Sequence, residues 1–418
     1  MRFHGINSRR AQRKGSLFDM ISAPSATLVL AATLTVQSLT AMSLMTLPVV
    51  APAVAESVGI STAYLGLYIA FAYAGAMTAS LLSGGAVRRY GAIRASQAGL
   101  VLCALGVAAC AVGTIYMTAL GAVLIGLGYG PITPASSHLL AKTTPAHRMS
   151  FVFSVKQTGV PLGGVLAGAI VPGLAAAIGW QAAFLCVTGA SLLCAALIQP
   201  LCATLDNDKD RSHQLSFGSG LAGPLRLVFS QRSLAVLAAV SFLFSISQVS
   251  LTTYMVTFLH EDLGMGLVIA GFTLAVAQAA GVAGRLLWGY AADRYLGSIN
   301  MLACLALLTI VCALATPLLR YADSHFAILI LLSVFGGCAI GWNGVYLAEV
   351  ARQAPPGQAS MATGGTLAMT FMGVVLGPPL FGAVAGALNS YGLAFTSLIV
   401  PASVCLWLLR RNQRAFHA

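Results

Sequence analysis

Charge is what this sequence has least of. Only 8% of its 418 residues are Asp, Glu, Lys or Arg, where a soluble globular chain carries roughly 25%. A water-soluble domain, a disordered chain, a collagen-like fold and a disulfide scaffold are excluded on that ground. Metal-ligand spacing is also missing. The nine cysteines (Cys103, Cys110, Cys186, Cys194, Cys202, Cys304, Cys312, Cys338, Cys405) form no C-x-x-C pair and have no His at ligand spacing, so they read as small core residues. No Gly-rich run ends in Gly-Lys-Ser/Thr after a strand, and no nucleophile triad stands out. The chain therefore reads as neither an enzyme nor an ATP-driven pump in itself, and it calls for no metal or cofactor.

Apolar length is what is present, with 58% hydrophobic residues and mean hydropathy +0.88. About 20 apolar residues cross a bilayer. Runs of that length fall near 26–47, 64–86, 95–115, 118–140, 151–176 and 181–203. A polar segment follows at 204–232, and six more runs lie near 234–259, 266–290, 299–319, 325–348, 360–387 and 392–409. The expected fold class is an all-α polytopic membrane protein of twelve transmembrane helices in two pseudo-symmetric six-helix halves. Its expected division is a basic N-terminus (1–25), a first half (26–203), a central loop (204–232), a second half (233–410) and a short tail (411–418). Arg9-Arg10 ahead of the first run suggests an export signal, but a run of about 22 residues suits a spanning helix better.

A net charge of +12 would raise nucleic acid as a partner of a soluble protein. Here the basic residues sit in the short connections. With the N-terminus inside, 19 of the 22 Lys and Arg fall on the cytoplasmic side and only Arg320 falls outside, beside Glu56, Glu261, Asp262 and Asp323. The positive-inside rule then places both termini and the central loop in the cytoplasm, with no nucleic-acid partner. The compact chain, without an organelle-like extension, suggests a bacterial inner membrane, and nothing in it demands more than a monomer.

A shift of 211 residues aligns Gln37 with Gln248, Gly126 with Gly337, His138 with Glu349, Pro145 with Pro356 and Phe184 with Phe395. A shift of 205 aligns Gly84 with Gly289, Arg89 with Arg294 and Tyr90 with Tyr295. Parallel six-helix repeats are a transporter architecture. With Gly289-Tyr290-Ala291-Ala292-Asp293-Arg294 after the eighth span, which is similar to a G-x-x-x-D-R signature, the chain resembles the major facilitator superfamily. The resemblance implies a gating role for Gly84, Arg88, Arg89, Gly289, Asp293 and Arg294. Asp293 would close one end against a neighbouring helix, and Arg88 stands where the first copy usually has an acid. A purely structural anchor is the competing reading.

Lys156 and Arg285 are the two cations inside spans. Each lies eight residues from a connection charge (Arg148 and Asp293), about 12 Å in at 1.5 Å per residue. A charge at that depth faces a partner or a watery cavity, so the pair suits an anionic substrate. The alternative is pairing, for example of Arg285 with Asp293. The run Lys156-Gln157-Thr158-Gly159-Val160-Pro161-Leu162-Gly163-Gly164 resembles the fifth helix of cyanate-permease-like and other organic-anion carriers, with Pro161 as a hinge. Ala122 stands where drug antiporters of the superfamily have an Arg, which weakens that reading.

Gln37 and Gln248, mid-span, are expected as ligand contacts or interhelical bonds, and Gln157, Tyr254, Trp342, Asn343 and Tyr346 as further substrate contacts. His138 and Glu349 are candidates for proton coupling or, alternatively, for plain helix-end pairing. The function expected is a secondary transporter that moves a small organic anion, a carboxylate, by alternating access with protons as the driving ion. Export of drug-like compounds and a membrane sensor without flux are the alternatives.

Overall fold

A computed structural model describes residues 25–144, 149–210, 222–322, 324–355 and 358–416. The basic N-terminal residues Arg2 to Lys14, Arg148, Arg211, Asp323, Pro145 and Pro356 lie outside them. The long helices are α1 (Ala26–Met45), α2 (Leu65–Tyr90), α3 (Ala92–Ala111) and α4 (Ile115–Thr143). They continue with α5, in two pieces (Met149–Gln157 and Gly159–Ile178), α6 (Trp180–Leu197), α7 (Arg232–Thr257) and α8 (Leu267–Ala291). The last four are α9 (Ser298–Ala315), α10 (His325–Gln353), α11 (Ala359–Leu388) and α12 (Tyr391–Arg411). Among the described residues eleven helices are long and apolar enough to cross a membrane. The 26 residues of α2 reach ~39 Å at 1.5 Å per residue, past a hydrocarbon layer of ~30 Å. The expected twelve are thus present, and the described residues contain no strand.

Most of these helices are apolar on every side, as helices within a bilayer are. Polar side chains inside them are absorbed locally: Thr33, Thr40, Ser43, Thr46 and Ser136 each bond a carbonyl four residues back. The two halves repeat a motif. The Gln37 amide oxygen on α1 accepts from Thr133 of α4 at 3.2 Å, and that of Gln248 on α7 accepts from the Trp342 indole of α10 at 2.9 Å. The halves meet where α2 packs on α11 and α5 packs on α8.

The connection between the second and third spans is shorter than the apolar runs suggest. Arg88 and Arg89 are helical and end α2, where cations offset the helix dipole. Gly91 alone separates α2 from α3. Its φ of +99° excludes most side chains, and a Cβ there would collide with the Asp206 carboxylate. Asp206 lies in the central segment, is 1% exposed, and accepts the amides of Ile93 (2.9 Å) and Arg94 (3.0 Å) at the start of α3. The central segment, expected as a plain polar loop, is thus anchored by a helix cap at its first end. It is helical again at Ala222–Ser230.

Asp206→Ala removes that cap and is expected to cost about 1–2 kcal/mol. Gly91→Ala is expected to cost more, because it forces both the backbone and the carboxylate to move. Thermal unfolding of the purified protein checks the order. A Gly91→Ala protein as stable as the Asp206→Ala protein contradicts it.

Candidate functional site

Proline creates the site's central feature. In an unbroken α5 the amide of residue 161 would bond the carbonyl of residue 157, but Pro161 has no N–H. The helix breaks at Thr158, and the Gln157 carbonyl is left to another donor. That donor is Arg285 of α8, in the other half, whose guanidinium reaches it at 2.8 Å. The same guanidinium donates through Nε to the Ile340 carbonyl at 3.3 Å, next to the break in α10 at Trp342. Lys156, 1% exposed, extends its ammonium to the Gln157 amide oxygen at 3.4 Å. The two intramembrane cations therefore converge on one residue at the boundary between the halves. Neither makes an ion pair among the described residues.

Beside them lies a cavity of about 30 Å³, lined by Tyr73, Tyr129, Pro161, Gln248, Thr252, Gln278 and Arg285 among others. It has room for a water or two at ~10–15 Å³ each. No acid is among its described lining residues. Gln37 packs against Gly159 at the break in α5, and its amide nitrogen is buried without a hydrogen-bond partner among the described residues.

Several expected contacts take other places. Tyr254 lies six residues beyond Gln248, ~9 Å further along α7, and is fully buried. Its hydroxyl accepts the Gly66 amide (2.7 Å) and has the Ala63 (2.9 Å) and Pro378 (3.2 Å) carbonyls to donate to. It also stacks on Phe381 and Tyr391. Tyr254 thus belongs to a seal between the halves at the acidic end of the molecule, together with Thr62, whose hydroxyl meets Glu261 (3.1 Å) and Tyr391 (2.6 Å). Gly66 is required there: a Cβ would run into the backbone of Pro378 and Pro379. Trp342 and Tyr346 are buried inside the second half, where Trp342 stacks on Phe244 at 5.2 Å and holds the Gln248 amide. Asn343 is half-buried at the α10 break. Gln278 of α8, with Tyr73 and Tyr129, was not expected. A polar residue seven positions before Arg285 on the same helix face is a signal the sequence does contain.

At the basic end, Asp293 pairs with Arg352 of α10 at 3.0 Å, not with Arg285. Arg352 also bonds Glu349 (3.2 Å) and Ser298 (2.8 Å), and Gln353 donates to Glu349 at 2.9 Å. Glu349 therefore sits in a helix-end cluster, while His138 pairs with Asp208 at 2.9 Å on the surface. Partial burial pushes the Asp208 carboxyl up, yet His138 and Lys142 outweigh it and hold it below its ordinary value. Each of these ion pairs stays within one half and its adjoining segment. Arg88 and Arg294 are exposed, Arg89 lies over the Tyr90 ring at 5.6 Å, Gly84 lies in α2 near its basic end, and Gly289 has open space where a Cβ would sit.

Tyr254→Phe keeps the aromatic stack and removes the hydroxyl. Hydrogen exchange at the Gly66 amide is expected to speed up about fivefold, as for one hydrogen bond of about 1 kcal/mol. An unchanged rate contradicts its part in the seal.

Among known proteins, residues 33–369 match the family model of the Major Facilitator Superfamily. The benzoate transport protein of Acinetobacter baylyi is 24% identical over 311 residues, 67% of this chain and 65% of that protein's own length. The hexuronate transporter of Bacillus subtilis is 28% identical over 153 residues, 36% of each chain. Of solved structures, a bacterial homolog of the human lysosomal transporter Spinster, inward-facing and occupied, matches with a TM-score of 0.77 at 16% identity. That match covers 94% of this chain and 98% of the other. A D-xylose–proton symporter matches at 0.70 and 15% identity over 94% and 97%. With the twelve helices, their paired halves and the family match over most of its length, this chain belongs to the Major Facilitator Superfamily.

Proposed function

We propose that this transporter carries a small organic anion, a carboxylate, across a bacterial inner membrane by alternating access, with protons as the coupling ion. The observation that carries the reading is the convergence of Lys156 and Arg285 on Gln157, at mid-depth, with no carboxylate paired to either among the described residues. A charge at that depth costs roughly 3 kcal/mol or more without compensation. Carbonyl and amide oxygens compensate in part, and an anionic substrate completes the balance. Arg285 has five N–H donors, two of which serve the carbonyls of Gln157 and Ile340, so the fork can hold a carboxylate as well.

The surroundings favour a small, flat anion: Tyr73 and Tyr129 supply rings, and Gln248 and Gln278 supply amides. Gln37 offers a further unsatisfied N–H close to the α5 break. The two curated relatives are named for benzoate and hexuronate, both carboxylates, and this chemistry agrees with the site. The present cavity is too small for such a molecule, so binding requires the halves to part. Parting occurs at the basic end in our reading, because the acidic end is held by Tyr254, Thr62 and Gly66. With both termini in the cytoplasm, as the basic connections argue, the seal faces outward.

Counterflow of radiolabelled benzoate and glucuronate in proteoliposomes tests the assignment. Uptake is expected to rise with an imposed proton gradient and to fall by about tenfold or more in Lys156→Ala and in Arg285→Ala, the loss of one charge-assisted bond each. Transport of lipophilic cations that is unaffected by both substitutions, with no carboxylate flux, overturns it in favour of export of drug-like compounds.

A further inference from the structure

A second cavity, of about 730 Å³, opens at the basic end between α2, α3 and α4, away from the substrate site. Its lining combines two chemistries. Arg89, Arg94 and Lys209 bring three cations, and no Asp or Glu is among the described lining residues. Ala86, Ala95, Ala98, Gly99, Leu102 and Pro131 form apolar walls that run inward from those cations. Arg89 ends α2 and Arg94 begins α3, on either side of the Gly91 turn, so the cations stand at the level where a spanning helix leaves the hydrocarbon. Further along α3, Ala98, Val101 and Leu105 are exposed and face the bilayer.

Two acids of the neighbouring segment have partners of their own. Both oxygens of Asp206 accept backbone amides, and Asp208 is paired with His138 and Lys142. Among the described residues the Arg94 guanidinium makes only a long bond, 3.4 Å, to the Gln199 side chain. The combination of a cationic rim and an apolar trough at the interface matches one ligand chemistry: a phosphodiester that carries acyl chains.

We propose that this crevice is a binding site for an anionic glycerophospholipid, with the phosphate between Arg94 and Lys209 and an acyl chain along the Ala98–Leu102 wall. The site is particular to the first half. At the shift that aligns Arg89-Tyr90 with Arg294-Tyr295, Arg94 aligns with Ile299, so the related turn after α8 lacks the second cation. The lipid ties the start of α3 to the central segment through Lys209. It does not depend on which substrate the transporter carries.

Native mass spectrometry of the full chain released from nanodiscs tests this, with discs of palmitoyl-oleoyl phosphatidylglycerol compared with discs of the phosphatidylcholine of the same chains. Retained phosphatidylglycerol is expected to exceed phosphatidylcholine. It is expected to fall about thirtyfold in Arg94→Gln/Lys209→Gln, from roughly fivefold per basic residue near an anionic surface. Arg94→Lys/Lys209→Arg keeps the charges and is expected to retain the lipid, which separates loss of the site from loss of the fold. Arg294→Gln is expected to change nothing. Equal retention of the two lipids overturns the proposal, as does an undiminished signal in the double Gln variant or an equal loss in Arg294→Gln. Displacement of the lipid by millimolar inorganic phosphate also overturns it, since it would mark a site for free phosphate.

Discussion

The hydrogen bond from Arg285 to the Gln157 carbonyl is the interaction on which the candidate site depends. It exists because Pro161 cannot supply the amide that an intact helix would use, so a backbone acceptor in one half is left for a guanidinium of the other. One covalent fact, a ring in place of an N–H, thereby breaks α5, fixes Arg285 at the boundary and brings Lys156 beside it. The same guanidinium reaches the carbonyl next to the α10 break, so a single side chain reads the irregular backbone of both halves. Irregular backbone at membrane depth is tolerated where it borders a cavity, and here it does.

Alternating access needs contacts that can be made and lost as the halves move. The two ends of this molecule differ in that respect. At the acidic end, helices of opposite halves approach closely at Gly66 and are joined by Tyr254 and by the Thr62–Glu261 and Thr62–Tyr391 bonds. At the basic end, Asp293, Arg352 and Glu349 hold α8 to α10 within the second half, and His138 and Lys142 hold the central segment to α4. Ties within each half leave it to move as a rigid body, while ties across the seam hold one conformation. Under the proposed function, an anion bound at the boundary between Lys156 and Arg285 would touch both bodies and so couple its binding to their relative position.

Much of the fold was legible because bilayer thickness sets the length of each apolar run. Lys156 and Arg285 stood out for the related reason that charge in such a run is costly. Gln278 carries the same kind of signal in weaker form, an amide in place of a charge, and it went unread. The aromatics were not legible. Where a helix is apolar on every side, periodicity no longer tells which face meets a cavity, so Tyr254, Trp342 and Tyr346 were expected at the substrate and lie in the seal or inside the second half. The seal itself joins Thr62 to residues 199 and 329 positions away, and no local pattern announces such a pairing. Asp293 likewise found its partner, Arg352, across a helix pair and not on its own helix. The Asp206 cap was hidden for the same reason, since its acceptor role depends on a loop that returns to the start of α3.

The most direct test of the central claim compares benzoate with benzamide, nearly equal in shape and different in charge, by titration calorimetry on the purified transporter. If the boundary cations await an anion, benzoate binds and benzamide binds at least about tenfold more weakly, the difference of one charge-assisted pair, and Arg285→Ala removes that difference. Equal affinity for the two, or a preference for benzoate that persists without the Arg285 guanidinium, contradicts the account.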